Sequence, residues 1–268
     1  MTTTGLDAAS VTYFTAGLVS ITFRQLSPER VVDLVSEAGL QAIEWGGDVH
    51  APPDQPERAA AVRELTERAG LSVAAYGSYY RAGWSAPSEF SDVLRTARIL
   101  GSPTIRVWAG KKGSGQILPA EKRAVIDDLK RVAALAAEED VVVACEYHQG
   151  TLTDSEESAA ELMRETDDDG VRCYWQPLHG TPVQQRERGL RKILPQLRNI
   201  HVYNWHPETR ERLPLAESRK PWLHWLGLVA EQGPGGEVAC LLEFVRNDAP
   251  ENFIADARKL REWLAEFA

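Results

Sequence analysis

Eight times along the chain a short apolar run gives way to a stretch with the marks of a helix: a cap, an apolar stripe or a glycine stop. Regular alternation of this kind predicts parallel strands joined by right-handed helical crossovers. The expected strands are Thr15 to Phe23, Ala42 to Trp45, Leu71 to Tyr76, Thr104 to Trp108, Val141 to Glu146, Val171 to Gln176, Ile200 to Asn204 and Val238 to Val245. Ser27-Pro28-Glu29 opens the first helix, and Gly39 stops it. Glu57 to Ala69, Glu89 to Leu100 and Ala120 to Glu139 follow. Thr153-Asp154-Ser155-Glu156 and Thr181-Pro182-Val183-Gln184 read as capping boxes that open two more, and Pro221 to Gln232 and Pro250 to Glu266 complete the set. The length of 268 residues is large for one open sheet and close to the ~250 usual for an eightfold barrel. With no Pro- or Ser-rich linker, the expectation is one α/β domain over 1–268, a closed (β/α)8 barrel. The GxGxxG pattern of a dinucleotide fold is absent.

Composition narrows the partners. The formal net charge of −9 argues against nucleic acid or an anionic membrane surface. No run of ~20 apolar residues exists to span a bilayer. The start, MTTTGLDAAS, lacks the basic residues and apolar run of a signal peptide, so a cytoplasmic location is expected. Cys145, Cys173 and Cys240 show no CxxC spacing. By strand parity each points away from the carboxyl or amide group that follows it, which predicts three reduced thiols packed under the helices.

Barrels of this kind build their sites at the carboxyl ends of the strands. There this chain concentrates its chemistry: Glu44 and then His50 after the second strand, Arg106 and Trp108 on the fourth, Glu146 and His148 on the fifth, Gln176 and His179 on the sixth, His201 and Tyr203 on the seventh, and Glu243 on the eighth. A carboxylate closing an apolar strand, as Glu146 closes VVVACE, is costly unless it meets a cation or does chemistry. Two carboxylates, a carboxamide oxygen and an imidazole converging from four successive strands suit Mn²⁺, Mg²⁺ or Co²⁺ better than a structural zinc site. Arg106 has a structural alternative, an ion pair with Glu44 inside the barrel mouth. Arg106, with Lys111 and Lys112 in the loop KKGSG near the fourth strand's end, is a candidate for holding a phosphate or carboxylate.

The ordered set Glu146, Gln176-Pro-Leu-His179, His201 and Glu243 resembles the xylose isomerase-like TIM barrels, which include sugar-phosphate isomerases, ketose 3-epimerases and inosose dehydratases. The resemblance implies that a divalent metal (Mn, Mg, Co or Zn) is held by Glu146, Gln176, His201 and Glu243. It implies that Glu146 and Glu243 also serve as an acid/base pair, one on each face of the substrate carbon, and that His179 touches a substrate oxygen. Arg106, Trp108, His148 and Glu44 would complete the substrate's surroundings. The departure is Gln176, which stands where the epimerase branch has Asp and removes one negative charge.

The expected function is therefore a sugar isomerase or epimerase that abstracts a proton next to a carbonyl. A lyase, either a dehydratase or a keto-glycoside eliminase, uses the same residues but expels a leaving group. A barrel that only binds a ligand is the third reading, motivated by Gln176. The expected partner is a small sugar or sugar derivative, with assembly as a homo-dimer or tetramer.

Overall fold

The eight apolar runs pair in sequence order as parallel strands, and the last pairs with the first, so that the sheet closes. The computed structural model describes residues 11–268; the first ten, which carried the reading of a missing leader, lie outside the described residues. The elements are β1 (Thr12–Val19), α1 (Pro28–Glu37), β2 (Ala42–Gly46), α2 (Pro56–Arg68), β3 (Ser72–Arg81), α3 (Glu89–Leu100), β4 (Thr104–Trp108), α4 (Pro119–Ala137), β5 (Val142–Glu146), α5 (Glu156–Thr166), β6 (Arg172–Trp175), α6 (Val183–Ile193), β7 (Leu197–Val202), α7 (Arg219–Gln232), β8 (Gly236–Leu242) and α8 (Pro250–Leu264). This is the expected (β/α)8 barrel. No helix among the described residues is long and apolar enough to cross a membrane.

Strand parity sorts the side chains into two shells. Outward-facing Ile43, Trp45, Tyr76, Val107, Trp175 and Ile200 pack against the helices in the main core. The three cysteines share that shell, buried and free as expected. Burial alone pushes the Cys145 thiol up to about 12, so it stays protonated. Among the described residues the lumen holds small apolar clusters, Val19, Ile21, Ala239 and Leu241 in one and Ala75, Ala144 and Tyr174 in the other. Above them the lumen turns polar.

Several boundaries differ from the sequence reading, each for a local reason. The first strand stops at Val19, and Ser20–Phe23 winds into a 3-10 turn. The turn brings Ser20 Oγ to 2.8 Å from the Gly46 amide it accepts from, and to 2.9 Å from His50 Nδ1. Neither capping box forms as written. Ser155, not Thr153, caps α5 by accepting from the Ser158 amide. Thr153 instead donates to the Glu146 carbonyl, at 2.5 Å. Thr181 donates to the Leu178 carbonyl, and Pro182 occupies the N-cap position of α6.

Outside the lumen, Asp256 on α8 accepts the Leu215 amide at 2.9 Å and ties that helix to the segment before α7. Burial raises its carboxyl to about 6, and the amide bond offsets only part of this. A carboxyl raised above its unfolded value binds its proton more tightly in the native state. The group therefore costs nothing below its unfolded pKa, near 3.9, and its full penalty is present above about 6. Asp256→Asn keeps an acceptor for Leu215. Urea denaturation is expected to find the variant about 1–2 kcal/mol more stable at pH 7 and unchanged at pH 4; equal effects at both pH values would refute the assignment.

Candidate active site

A missing side chain makes room for the site. At Gly77 on β3 a Cβ would stand 2.7 Å from Glu44 Oε1 and 3.0 Å from Arg106 Nη2. The space goes to Arg106, which leaves β4 and runs across the lumen between two carboxylates. Its Nε donates to Glu44 Oε1 at 2.8 Å, and its Nη1 donates to Glu146 Oε2. Arg106 is 2% exposed and Glu44 fully buried, so this cation is internal to the barrel.

Glu146 is held by three kinds of donor. Besides Arg106, the Trp108 indole N–H donates to the same Oε2 at 2.5 Å. The Gln176 amide donates to Oε1 at 3.1 Å and to the Tyr147 carbonyl at 2.8 Å. Burial opposes ionisation of Glu146, but the charges of Arg106, His201 and His148 outweigh it, and the carboxyl is held well below the usual range.

His201 stands at the centre. Its Nε2 lies 3.4 Å from Glu44 Oε2, a carboxylate that orients the ring from below. Its Nδ1 faces upward, 3.3 Å from Gln176 Oε1, 3.5 Å from Glu243 Oε2 and 3.8 Å from Glu146 Oε1. Burial lowers the imidazole's pKa, yet Glu243 and Glu44 together raise it to about 9. Glu44 responds in the opposite sense: burial works against its charge, and His201 and Arg106 keep it ionised.

Glu243 is differently placed. It follows the end of β8, and the next residue, Phe244, takes a left-handed φ of 54°, uncommon for a bulky side chain. The Phe244 amide is held by Thr22 Oγ1 at 3.0 Å, and the Glu243 amide by the Val202 carbonyl at 3.0 Å. The turn aims the carboxylate into the mouth. No described arginine or lysine lies within 4 Å of it. Burial raises its pKa; His201 pulls it down, and the negative charge of Glu146 adds to the rise.

The sequence-predicted residues thus separate into groups. Ligand atoms of Glu146, His201 and Glu243 lie within 4.8 Å of one another, with Gln176 Oε1 beside them. The amide's orientation is fixed, because its nitrogen is committed to the Tyr147 carbonyl. Two carboxylates, an imidazole nitrogen and a carbonyl oxygen on one spot make a donor set that a divalent ion fits. Glu146, His148, Gln176, His179 and Glu243 share one cavity of about 290 Å³ at the strands' carboxyl ends. Trp108 reaches it through its bond to Glu146.

Glu44 and Arg106, expected beside the substrate, do not line the cavity; they form the ion pair that was the structural alternative, and their remaining atoms go to Glu146 and His201. His50 is not at the mouth either: its two nitrogens meet Ser20 Oγ and the Leu26 carbonyl, outside the lumen, and its ring packs on Trp45. Lys112 pairs with Glu121 at 2.6 Å and Lys111 sits over Trp84, in a hollow apart from the mouth. Sequence reasoning missed Arg210 and Phe244 as cavity residues. A polar loop and a strand-end Phe carry no signal of their own; only the left-handed backbone at both marks them.

Comparison with known proteins agrees with this picture. Over 201 residues, 70% of each chain, the sequence is 26% identical to a 3-dehydroshikimate dehydratase of Bacillus anthracis. The crystal structure of the probable 3-DHS dehydratase involved in petrobactin synthesis from Bacillus anthracis matches with a TM-score of 0.76, at 20% identity, over 93% of this chain and 98% of that one. A xylose isomerase-like TIM barrel protein from Mycobacterium smegmatis, solved in complex with magnesium, matches with a TM-score of 0.72, at 15% identity, over 94% and 97%. The family model described as xylose isomerase-like TIM barrel matches residues 32–266. With the closed barrel and the convergent acids already in place, the chain belongs to the xylose isomerase-like TIM barrel family.

Proposed function

We propose that this protein is a lyase that removes water from a small hydroxylated ketone, with Glu243 moving the proton. The observation that carries the reading is the unequal setting of the two carboxylates. Glu146 is tied by Arg106, Trp108 and Gln176 and stays ionised. Glu243 has no such ties: among the described residues its charged neighbour within 4 Å is His201, 3.5 Å away, which leaves the carboxylate free to take and return a proton. An epimerase with matched glutamates on the two faces of a carbon needs both to give and take a proton. Here one is equipped to do so.

The chemistry then follows from the chain's own groups. Glu243 takes the proton from the carbon next to the carbonyl, and the electron pair passes into an enolate. The neighbouring carbon–oxygen bond breaks, and the proton carried by Glu243 goes to the departing hydroxide, which leaves as water. Glu146 and His201 hold their places through Arg106 and Glu44. His148 and His179 stand at the cavity wall, within the substrate's surroundings. A divalent cation held by Glu146, Gln176, His201 and Glu243 would polarise the carbonyl and stabilise the enolate. The curated relative named as a dehydratase supports elimination over isomerisation.

The test is a panel of hydroxylated ketones and keto acids incubated in deuterated water with added Mn²⁺ or Mg²⁺, read by mass spectrometry. The expected product is lighter than its substrate by one water. A product of unchanged composition that has gained deuterium would instead establish the isomerase or epimerase chemistry, and would sink the lyase reading.

A further inference from the structure

The wall of the mouth that follows β6 and β7 holds polar groups that take no part in the proton transfer above. His179 Nε2 and Trp205 Nε1 are buried, and neither has a hydrogen-bond partner within the described protein. Their rings meet edge to face, with centroids 4.9 Å apart, and both residues line the cavity of Glu146 and Glu243. Unpartnered buried polar atoms are rare in native proteins and call for a specific explanation. Arg210 lines the same cavity. It is exposed, and no described carboxylate lies within 4 Å of its guanidinium.

Local structure explains how Arg210 arrives there. After β7 the chain forms a hairpin in which Trp205 pairs with Arg212, the His206 amide donates to the Glu211 carbonyl, and the Leu213 amide donates to the Asn204 carbonyl. Arg210 sits in the turn with a φ of 62°. A non-glycine residue in this conformation costs on the order of 1 kcal/mol, and such residues cluster at ligand clamps. Trp205 is anchored from the other side by the guanidinium of Arg212, 5.8 Å from its ring. The hairpin therefore presents an indole N–H and a free cation on one side of the cavity, with an imidazole beside them. Burial, followed by the charges of Arg210 and Arg186, lowers the His179 pKa, which keeps the ring neutral beside the cations.

From this geometry we infer that the hairpin is an anion clamp: Arg210, Trp205 and His179 take the carboxylate of the substrate, while its hydroxy-ketone end reaches Glu243. The floor of the cavity is acidic and its rim cationic, so a substrate with opposite character at its two ends enters in one orientation. The two orphan nitrogens gain their acceptor when the hairpin shifts to admit the ligand. A cavity of about 290 Å³ lies at the small end of ligand pockets, which suits a compact carboxylate better than a bulkier phosphate. The inference rests on the lyase reading for the substrate's reactive end, but binding is measured without turnover.

Three probes share one ring and differ at one carbon: glucose, glucuronate and glucose 6-phosphate. Calorimetric titration of the metal-loaded protein is expected to find glucuronate bound about 10- to 100-fold more tightly than glucose, the range of a charge-assisted contact. In Arg210→Gln, an exposed substitution checked by its unchanged melting curve, that preference should disappear. The His179 ring resonances should shift on adding glucuronate and not on adding glucose. Equal binding of glucose and glucuronate, a preference that survives Arg210→Gln, binding of glucose 6-phosphate in place of glucuronate, or no binding by any of the three would each overturn the carboxylate clamp. A protein that shows the preference yet eliminates nothing would remove the lyase reading and leave the clamp standing.

Discussion

Arg106→Met should cost about 3–5 kcal/mol of stability at pH 7, the cost of stranding one partner of a buried pair. Here a single guanidinium serves two carboxylates, Glu44 and Glu146, inside the barrel. Methionine fills much of the volume, so the loss is electrostatic, and its pH dependence identifies it. In the parent both acids have folded pKa values below the unfolded one. Their stabilisation is complete above the unfolded value, near 4.3, and fades as the pH drops through the folded values. In the variant burial is no longer opposed by Arg106, so the folded values rise, and the penalty grows as the pH climbs above the unfolded value. Urea denaturation should therefore show a cost at pH 4 less than half of that at pH 7. A cost equal at both would mean that packing, not charge, is lost. Adding Glu44→Gln to Arg106→Met should restore part of the stability at pH 7, because the partners couple.

Glu243→Gln should lower kcat by about a thousandfold, within the range for losing a general base. The amide has the same shape and keeps an oxygen toward His201. Glu44 and Glu146 remain as partners of the imidazole, so denaturation should place the stability within about 1 kcal/mol of the parent. Exchange of the substrate's α-proton with solvent deuterium should fall in parallel. Exchange that persists in the variant while turnover collapses would assign Glu243 to the departing hydroxyl rather than to the carbon. Glu146→Gln is the informative contrast. It removes the charge that pairs with Arg106, so its activity loss should come with a stability loss that Glu243→Gln lacks.

The fold was legible because its signals are periodic and repeated. Eight apolar runs at helical intervals leave few ways to close a chain of this length, and errors of a few residues at each strand end do not add up. Parity worked for the same reason: Cys145, Cys173 and Cys240 point outward because Glu146, Gln176 and Glu243 point inward. The convergence of Glu146, Gln176, His201 and Glu243 was likewise readable, since strand ends in a closed barrel can only meet over its axis. Depth was not readable. Glu44 and Arg106 sit at strand ends like the others, but Gly77 lets Arg106 lie flat across the lumen, which takes both below the cavity floor. His50 was misplaced because Ser20–Phe23 left the strand pattern to form a turn around it. Arg210 lay in a polar loop whose hairpin depends on the distant pairing of Trp205 with Arg212.

The missing side chain at Gly77 ties residues on three neighbouring strands into one unit of inheritance. A Cβ there meets Glu44 Oε1 at 2.7 Å and Arg106 Nη2 at 3.0 Å, so the glycine can be exchanged only if that ion pair moves or goes. A lineage that gave up guanidinium and carboxylate together would free room for an alanine or larger residue on β3, and would lose the group that orients His201. Relatives are accordingly expected to keep or abandon these three positions together, and a barrel with a bulky residue at the equivalent of 77 should orient its fifth-strand glutamate by some other means.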